Sequence, residues 1–201
     1  ISFSNFLVPG LILMALMNSC FANASFSLMF EKMIRCIVDT LMPPLSPGEL
    51  TIGYVFASTT RGLLVALMVG VSIQIFVPVN IHSWPLIIFY AIGAALFMSL
   101  LGLITAIWAD KIDHVASINN FVILPFTFLS GTFYSIRHLP EVFQTVIIFN
   151  PVFYIIDGFR FGFLGYADGS PTVGALIIII FDIALWLVCL YLFRSGYKLK
   201  S

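Results

Sequence analysis

The chain has 201 residues, of which 61% are hydrophobic and only 9% charged, with nine basic and nine acidic side chains and no net charge. A soluble domain carries about 25% charged residues, so this is the composition of an integral membrane protein, and its neutrality excludes the basic surface that nucleic acid needs. The three cysteines, Cys20, Cys36 and Cys189, are scattered; no pair has metal-ligand spacing, and a disulfide framework is not expected.

A membrane span takes about 20 mostly apolar residues, and five stretches qualify: 6–30, 58–77, 84–108, 115–134 and 173–193. The first begins almost at Ile1, with no basic leader before it. After it, "EKMIRCIVDTLMPP" places Ile34, Ile37, Val38, Leu41 and Met42 at i, i+3, i+4, i+7 and i+8, one apolar helix face. Lys32, Arg35 and Asp39 take the other face, so residues 31–42 predict an amphipathic helix ended by Pro43 and Pro44. "SPGE" then supplies a capping box, with Ser46 as cap, Pro47 at the first helical position and Glu49 at the third. The third span has Trp84 and Trp108 as interface anchors, and Ala91, Ala95, Ser99, Gly102 and Ala106 line one side for close helix contact. The fourth is the least regular, with Asn119, Asn120 and Pro125 inside it.

Between the fourth and fifth stretches, "LPEVFQTVIIFN" and "NPVFYIIDGFRFGFLG" predict two short helices, the second capped by Asn150 with Pro151 at its first position. Neither is long enough to cross, so together they predict a re-entrant hairpin. Tyr154, Asp157 and Arg160 recur every third residue, which permits an ion pair between the last two. Gly158 and Gly162 form G-x-x-x-G. Lys32, Arg35, Arg61, Lys111, Arg194, Lys198 and Lys200 fall on one side of the spans and only Arg137 and Arg160 on the other. That asymmetry places the first set, and the C-terminus, in the cytoplasm.

Catalytic patterns are missing: H-E-x-x-H, G-x-S-x-G and the phosphate-binding G-x-x-x-x-G-K-[ST] do not occur, and His82 and His138 lie on the opposite side from His114. No catalytic residue, metal site or cofactor is therefore expected. Asp182 is the one ionisable residue deep in a span, and such residues mark ion pathways often enough that a stand-alone secondary carrier or channel using Asp182 is the alternative reading.

The run "FLSGTFYSIRHLPEVFQ", then "FNPVFYIIDGFRFGFLG", then an apolar last span and a short basic tail, resembles the type-two permease subunits of ATP-binding cassette (ABC) exporters. The resemblance covers essentially the whole chain and implies an all-α polytopic bundle of six spans. Five of the six are visible as a single transmembrane domain over 1–201, with an N-terminal interfacial helix and the first span expected upstream. It implies a coupling helix that docks a cytoplasmic ATPase subunit, matched by Glu31, Lys32, Ile34, Arg35, Ile37, Val38 and Leu41. It also implies an outer re-entrant gate, matched by Asn150, Pro151, Tyr154, Asp157, Gly158 and Arg160. The expected partners are that ATPase, which binds the ATP, a second permease copy and the lipid bilayer. The expected location is the bacterial inner membrane.

Overall fold

A computed structural model describes residues 3–34, 46–77, 81–132, 147 and 149–198. All of the regular structure in them is helical. The first helix, α1 (Phe3–Met33), continues through Glu31 and Lys32 to a turn at Ile34, so these two residues close a span helix and do not open a separate one. The rest of the expected coupling segment, including Arg35, Ile37, Val38 and Leu41, lies outside the described residues.

Next comes α2 (Pro47–Phe76), which starts where the capping box predicts. The Glu49 amide donates to Ser46 Oγ at 3.2 Å and the Ser46 amide donates to Glu49 Oε2 at 2.6 Å. Because two end donors are satisfied there, the helix runs unbroken from Pro47 into the bilayer segment. Arg61 consequently stands about four turns inside α2.

The central helix is α3 (Trp84–Trp108), which packs on α1, α2 and both later helices. Its small residues allow this. A Cβ on Gly102 would come within 2.7 Å of the Phe21 carbonyl of α1, so the two backbones nearly touch. Ala95, Ser99 and Ala106 are buried on the same side. Ser58 Oγ of α2 lies 2.8 Å from Ser99 Oγ, and the Cys20 thiol of α1 donates to the Ser58 carbonyl. Apolar side chains gain little by leaving lipid for protein, so close backbone approach and such bonds between helices hold a membrane bundle together.

The fourth span, α4 (Ile112–Thr132), is helical but irregular. Asn119–Ile123 and Phe128–Thr132 form wide π-turns, separated by a short α-helical stretch around Pro125. Proline has no amide to donate, and wide turns free carbonyls from the regular ladder. The helix breaks at Gly131, whose φ of 79° is left-handed. Two helices follow: the short α5 (Pro151–Leu164), and α6 (Pro171–Ser195), the last span. Glycines with positive φ, Gly165 and Gly196, end them.

Among the described residues, five helices are thus long and apolar enough to cross a membrane, and α5 is not one of them. The bundle has one end with most of the basic residues, built from the C-termini of α1, α3 and α6 and the N-termini of α2 and α4. The opposite end carries α5. At the basic end the Lys32 ammonium reaches the carbonyls of Ala106, Ile107 and Ala109 at 3.0, 3.0 and 2.7 Å, closing the C-terminus of α3. Lys198 bonds to Asp110 at 2.9 Å and lies over the Trp108 ring. The hydrogen bond from Lys198, with its charge, holds the Asp110 carboxyl below its ordinary value.

Candidate functional site

The residues predicted to form the re-entrant gate converge at the end opposite the basic one. Asn150 caps α5: its Oδ1 accepts from the Val152 amide at 3.0 Å. Its Nδ2 donates to the Phe126 carbonyl at 3.1 Å and to Ser130 Oγ at 2.7 Å, two groups of the irregular half of α4. One side chain thus starts α5 and ties it to a carbonyl of the irregular helix. Pro151, at the first helical position, gives up an amide that the helix would not have paired.

The G-x-x-x-G pair seats α5 on α3. A Cβ on Gly158 would fall 2.0 Å from the Tyr90 ring, and one on Gly162 would fall 2.7 Å from Ile87. Tyr90 is fully buried, and its hydroxyl donates to the Pro171 carbonyl at the start of α6. Glycine is therefore required at 158 by close approach. Tyr154 is half-buried and packs beside Phe153 and Ile147.

Asp157 and Arg160 are both buried, at 3% and 1% exposure, which excludes two solvated surface charges. They also do not pair with each other; an ion pair of that kind, Lys198–Asp110, forms at the other end. Asp157 accepts from the Asp168 and Gly169 amides, both at 2.8 Å, and so fixes the link between α5 and α6. Burial pushes its carboxyl above the ordinary value, against those two donors and the Arg160 charge, which favour the ionised form. Arg160 points the other way. Its Nη2 donates to the Gly131 carbonyl, freed by the break in α4, and its guanidinium lies 3.9 Å from the Phe6 ring centre at the start of α1. Burial lowers its pKa, and Asp157 opposes that. The i, i+3 spacing predicts a pair, but better partners on two neighbouring segments take each side chain away. Three residues absent from the sequence-based set complete this site: Phe6, Tyr90 and Gly131. Gly131 alone left a signal, as a glycine inside a predicted span.

At the basic end, Glu31 accepts from the Tyr54 hydroxyl at 2.5 Å, and Lys32 holds α3 as described. Ile34 is 50% exposed. Asp182 sits on α6 opposite Gly93 of α3, and its Oδ1 is buried without a hydrogen-bond partner among the described residues. No hydrogen bond among the described residues joins it to the α5 cluster.

With this geometry in place, comparison with known proteins is informative. Residues 1–164 match the family model described as ABC-2 type transporter. The chain is 34% identical over 200 residues to the inner membrane transport permease YadH of Escherichia coli (strain K12), covering 100% of this chain and 78% of that protein. It is 28% identical to nodulation protein J of Rhizobium leguminosarum bv. trifolii, over 90% of this chain and 70% of that one. It is 26% identical to the capsule polysaccharide export inner-membrane protein BexB of Haemophilus influenzae, over 88% and 62%.

Proposed function

From the premise that the chain belongs to the ABC-2 type transporter family, we propose how its parts divide the work. The chain is a membrane-spanning permease subunit of an ABC exporter, a multi-pass inner-membrane protein that works with an ABC ATPase partner and is not itself an enzyme. That membership displaces the stand-alone carrier driven through Asp182.

The finer assignments are our reading. Residues 31–42 dock the ATPase, the ATP is bound by that partner, and this chain takes no cofactor of its own. The C-terminus is cytoplasmic, the functional unit pairs two permease copies, and residues 1–201 act as one transmembrane domain. The α5 helix, with the segment preceding it, gates the outer end. The observation that carries the gate is the position of α5. It is too short to span, yet Asn150, Asp157, Gly158 and Arg160 tie it to α4, the link into α6, α3 and α1 in turn. A shift of α5 must therefore disturb four helices.

Docking has the cleaner test. Burying an apolar side chain at an interface contributes about 1.5–3 kcal/mol. Ile37→Asp and Leu41→Asp are therefore expected to release the ATPase during purification while the permease still inserts. Normal ATPase retention in both variants overturns the docking assignment.

A further inference from the structure

We propose that the end of the bundle opposite the basic one opens along a single seam. On one side α5 and the start of α6 stay on α3. On the other the last turns of α4 and the first turns of α1 part from them, and Asn150 and Arg160 latch the seam when it is shut. The inference rests on the gate reading of α5 and adds where that gate divides.

The ties on the two sides of α5 differ in kind. Toward α3 and α6 they run through backbone. The amides of His82 and Ser83, in the link that leads into α3, donate to the Gly162 carbonyl at 3.1 and 2.8 Å and so finish the C-terminus of α5. The amides of Asp168 and Gly169, in the link into α6, donate to Asp157. Glycines then close the space between these helices. Tyr90 of α3 stands between Gly158 of α5 and Gly174 of α6. A Cβ on Gly174 would fall 3.2 Å from the Tyr90 hydroxyl oxygen and 3.5 Å from Tyr154 Cβ. The Asp157 oxygens and the Tyr90 hydroxyl are all bonded across this junction. Pulling it apart would strip several buried groups of their partners at once, and elements packed this closely move as one body.

Toward α4 and α1 the ties are side-chain tips. Asn150 Nδ2 reaches the Phe126 carbonyl and Ser130 Oγ, and Arg160 reaches the Gly131 carbonyl and the Phe6 ring. The backbone they hold is irregular. Phe128–Thr132 is a wide turn that breaks at the left-handed Gly131. Pro9 lies inside α1 and supplies no amide to the turn before it, so α1 bends there more easily than elsewhere. A Cβ on the neighbouring Gly10 would come within 2.7 Å of the Thr132 carbonyl oxygen, so the start of α1 and the end of α4 travel together. Solvation favours a break on this side. Arg160 is 1% exposed, and its Nε has no partner among the described residues. Parting the seam lets water reach that buried charge, which offsets the loss of the carbonyl and the ring.

The test is hydrogen exchange on the unaltered permease with its ATPase partner in lipid nanodiscs, compared between nucleotide-free and vanadate-trapped complexes. The amides of residues 128–132 are expected to exchange about tenfold faster in one state, the shift that loss of one charged hydrogen bond brings. Those of residues 82–83 and 168–169 should not change. Arg160→Met removes the latch, so residues 128–132 should take the faster rate in both states while 168–169 stay as they were. Gly174→Cys with Tyr154→Cys, whose Cβ separation suits a disulfide, bridges α5 to α6 in a Cys36→Ser background, where Cys20 and Cys189 are buried. The state dependence at 128–132 should survive that bridge. A state-dependent change at 82–83 or 168–169, or loss of the change at 128–132 in the bridged protein, overturns the seam and leaves the gate standing. State dependence that persists in Arg160→Met overturns Arg160 as the latch. No change at any of these amides overturns seam and gate together, and that comparison needs no variant to fold.

Discussion

Arg160 shows how a charge can be kept in an apolar bundle without a counter-ion beside it. Its guanidinium trades water for the Gly131 carbonyl and the Phe6 ring, while its Nε has no partner among the described residues. A hydrogen bond to a charged group contributes about 1.5–3 kcal/mol and a desolvated cation–ring contact up to about 2. Arg160→Met keeps the length of the side chain and loses both, so the detergent-solubilised protein is expected to lose about 2–4 kcal/mol of stability. Asp157→Asn turns one acceptor into a donor facing the Asp168 and Gly169 amides. One of them is left unpaired, at about 1–3 kcal/mol. Because the two side chains anchor different segments, the double variant should equal the sum of the singles to within ~0.5 kcal/mol. A large non-additive term would restore the direct ion pair. Sequence spacing reveals which residues can meet along one helix, and it made this pair plausible. It carries no information about Gly131 and Phe6, which are 29 and 154 positions away, so the real partners were not legible. Asp182 is a simpler case. Asn keeps its shape and one acceptor, so Asp182→Asn should leave export unchanged at equal expression, and loss of export would return a charge role to that position.

At the scale of elements, the most legible features were those with local chemistry. Ser46, Pro47 and Glu49 announced the start of α2, and Asn150 and Pro151 that of α5, because a cap is satisfied by residues within three positions of itself. Ser46→Ala should cost about 1 kcal/mol, and hydrogen exchange should show the loss as fraying of residues 47–50. The G-x-x-x-G signal was also legible as a close contact, though not its partner. Gly158→Ala drives a methyl group into Tyr90 and should cost about 1–3 kcal/mol. Tyr90→Leu, with a smaller side chain, should recover part of that, and thermal melting of the single and double variants checks both. The shape of α4 was less legible. Pro125 and two asparagines marked it as irregular, but the break at Gly131 lies where Arg160 takes its carbonyl, which is a tertiary matter.

For the whole molecule, hydropathy alone gave the five crossings, because the bilayer imposes length and composition on any helix that spans it. The arrangement of those helices did follow a trace in the sequence: the small residues of α3 predicted a tightly contacted helix, and α3 is the hub. Span limits were read less well at α2. Apolar content suggested a start near residue 58, while the capping box started the helix at Pro47, and this puts Arg61 about four turns inside the helix. Large apolar side chains on α2 and α6, among them Phe56, Leu67, Ile75, Leu176 and Tyr191, remain exposed. If two permease copies pair through such a face, cysteines at some of these positions should cross-link in membranes. A reporter fused after Ser201 should read as cytoplasmic by the basic-side rule.

The grip of Lys32 on the last carbonyls of α3 has a mechanical consequence. Lys32 stands at the start of the segment proposed to dock the ATPase, and α3 is an unbroken 25-residue helix, about 37 Å long. Near its other end, Tyr90 fills the socket at Gly158. A hydrogen-bonded helix resists axial stretch, so a displacement imposed at Lys32 arrives at α5 nearly undiminished, like the stroke of a connecting rod. Slack at the near joint should waste the stroke without stalling the motor. Lys32→Gln, which removes the charge and part of the reach, is expected to raise the ATP consumed per cargo molecule exported, measured on complexes that still retain the ATPase. An unchanged ratio in reconstituted vesicles would show that the stroke travels by another helix.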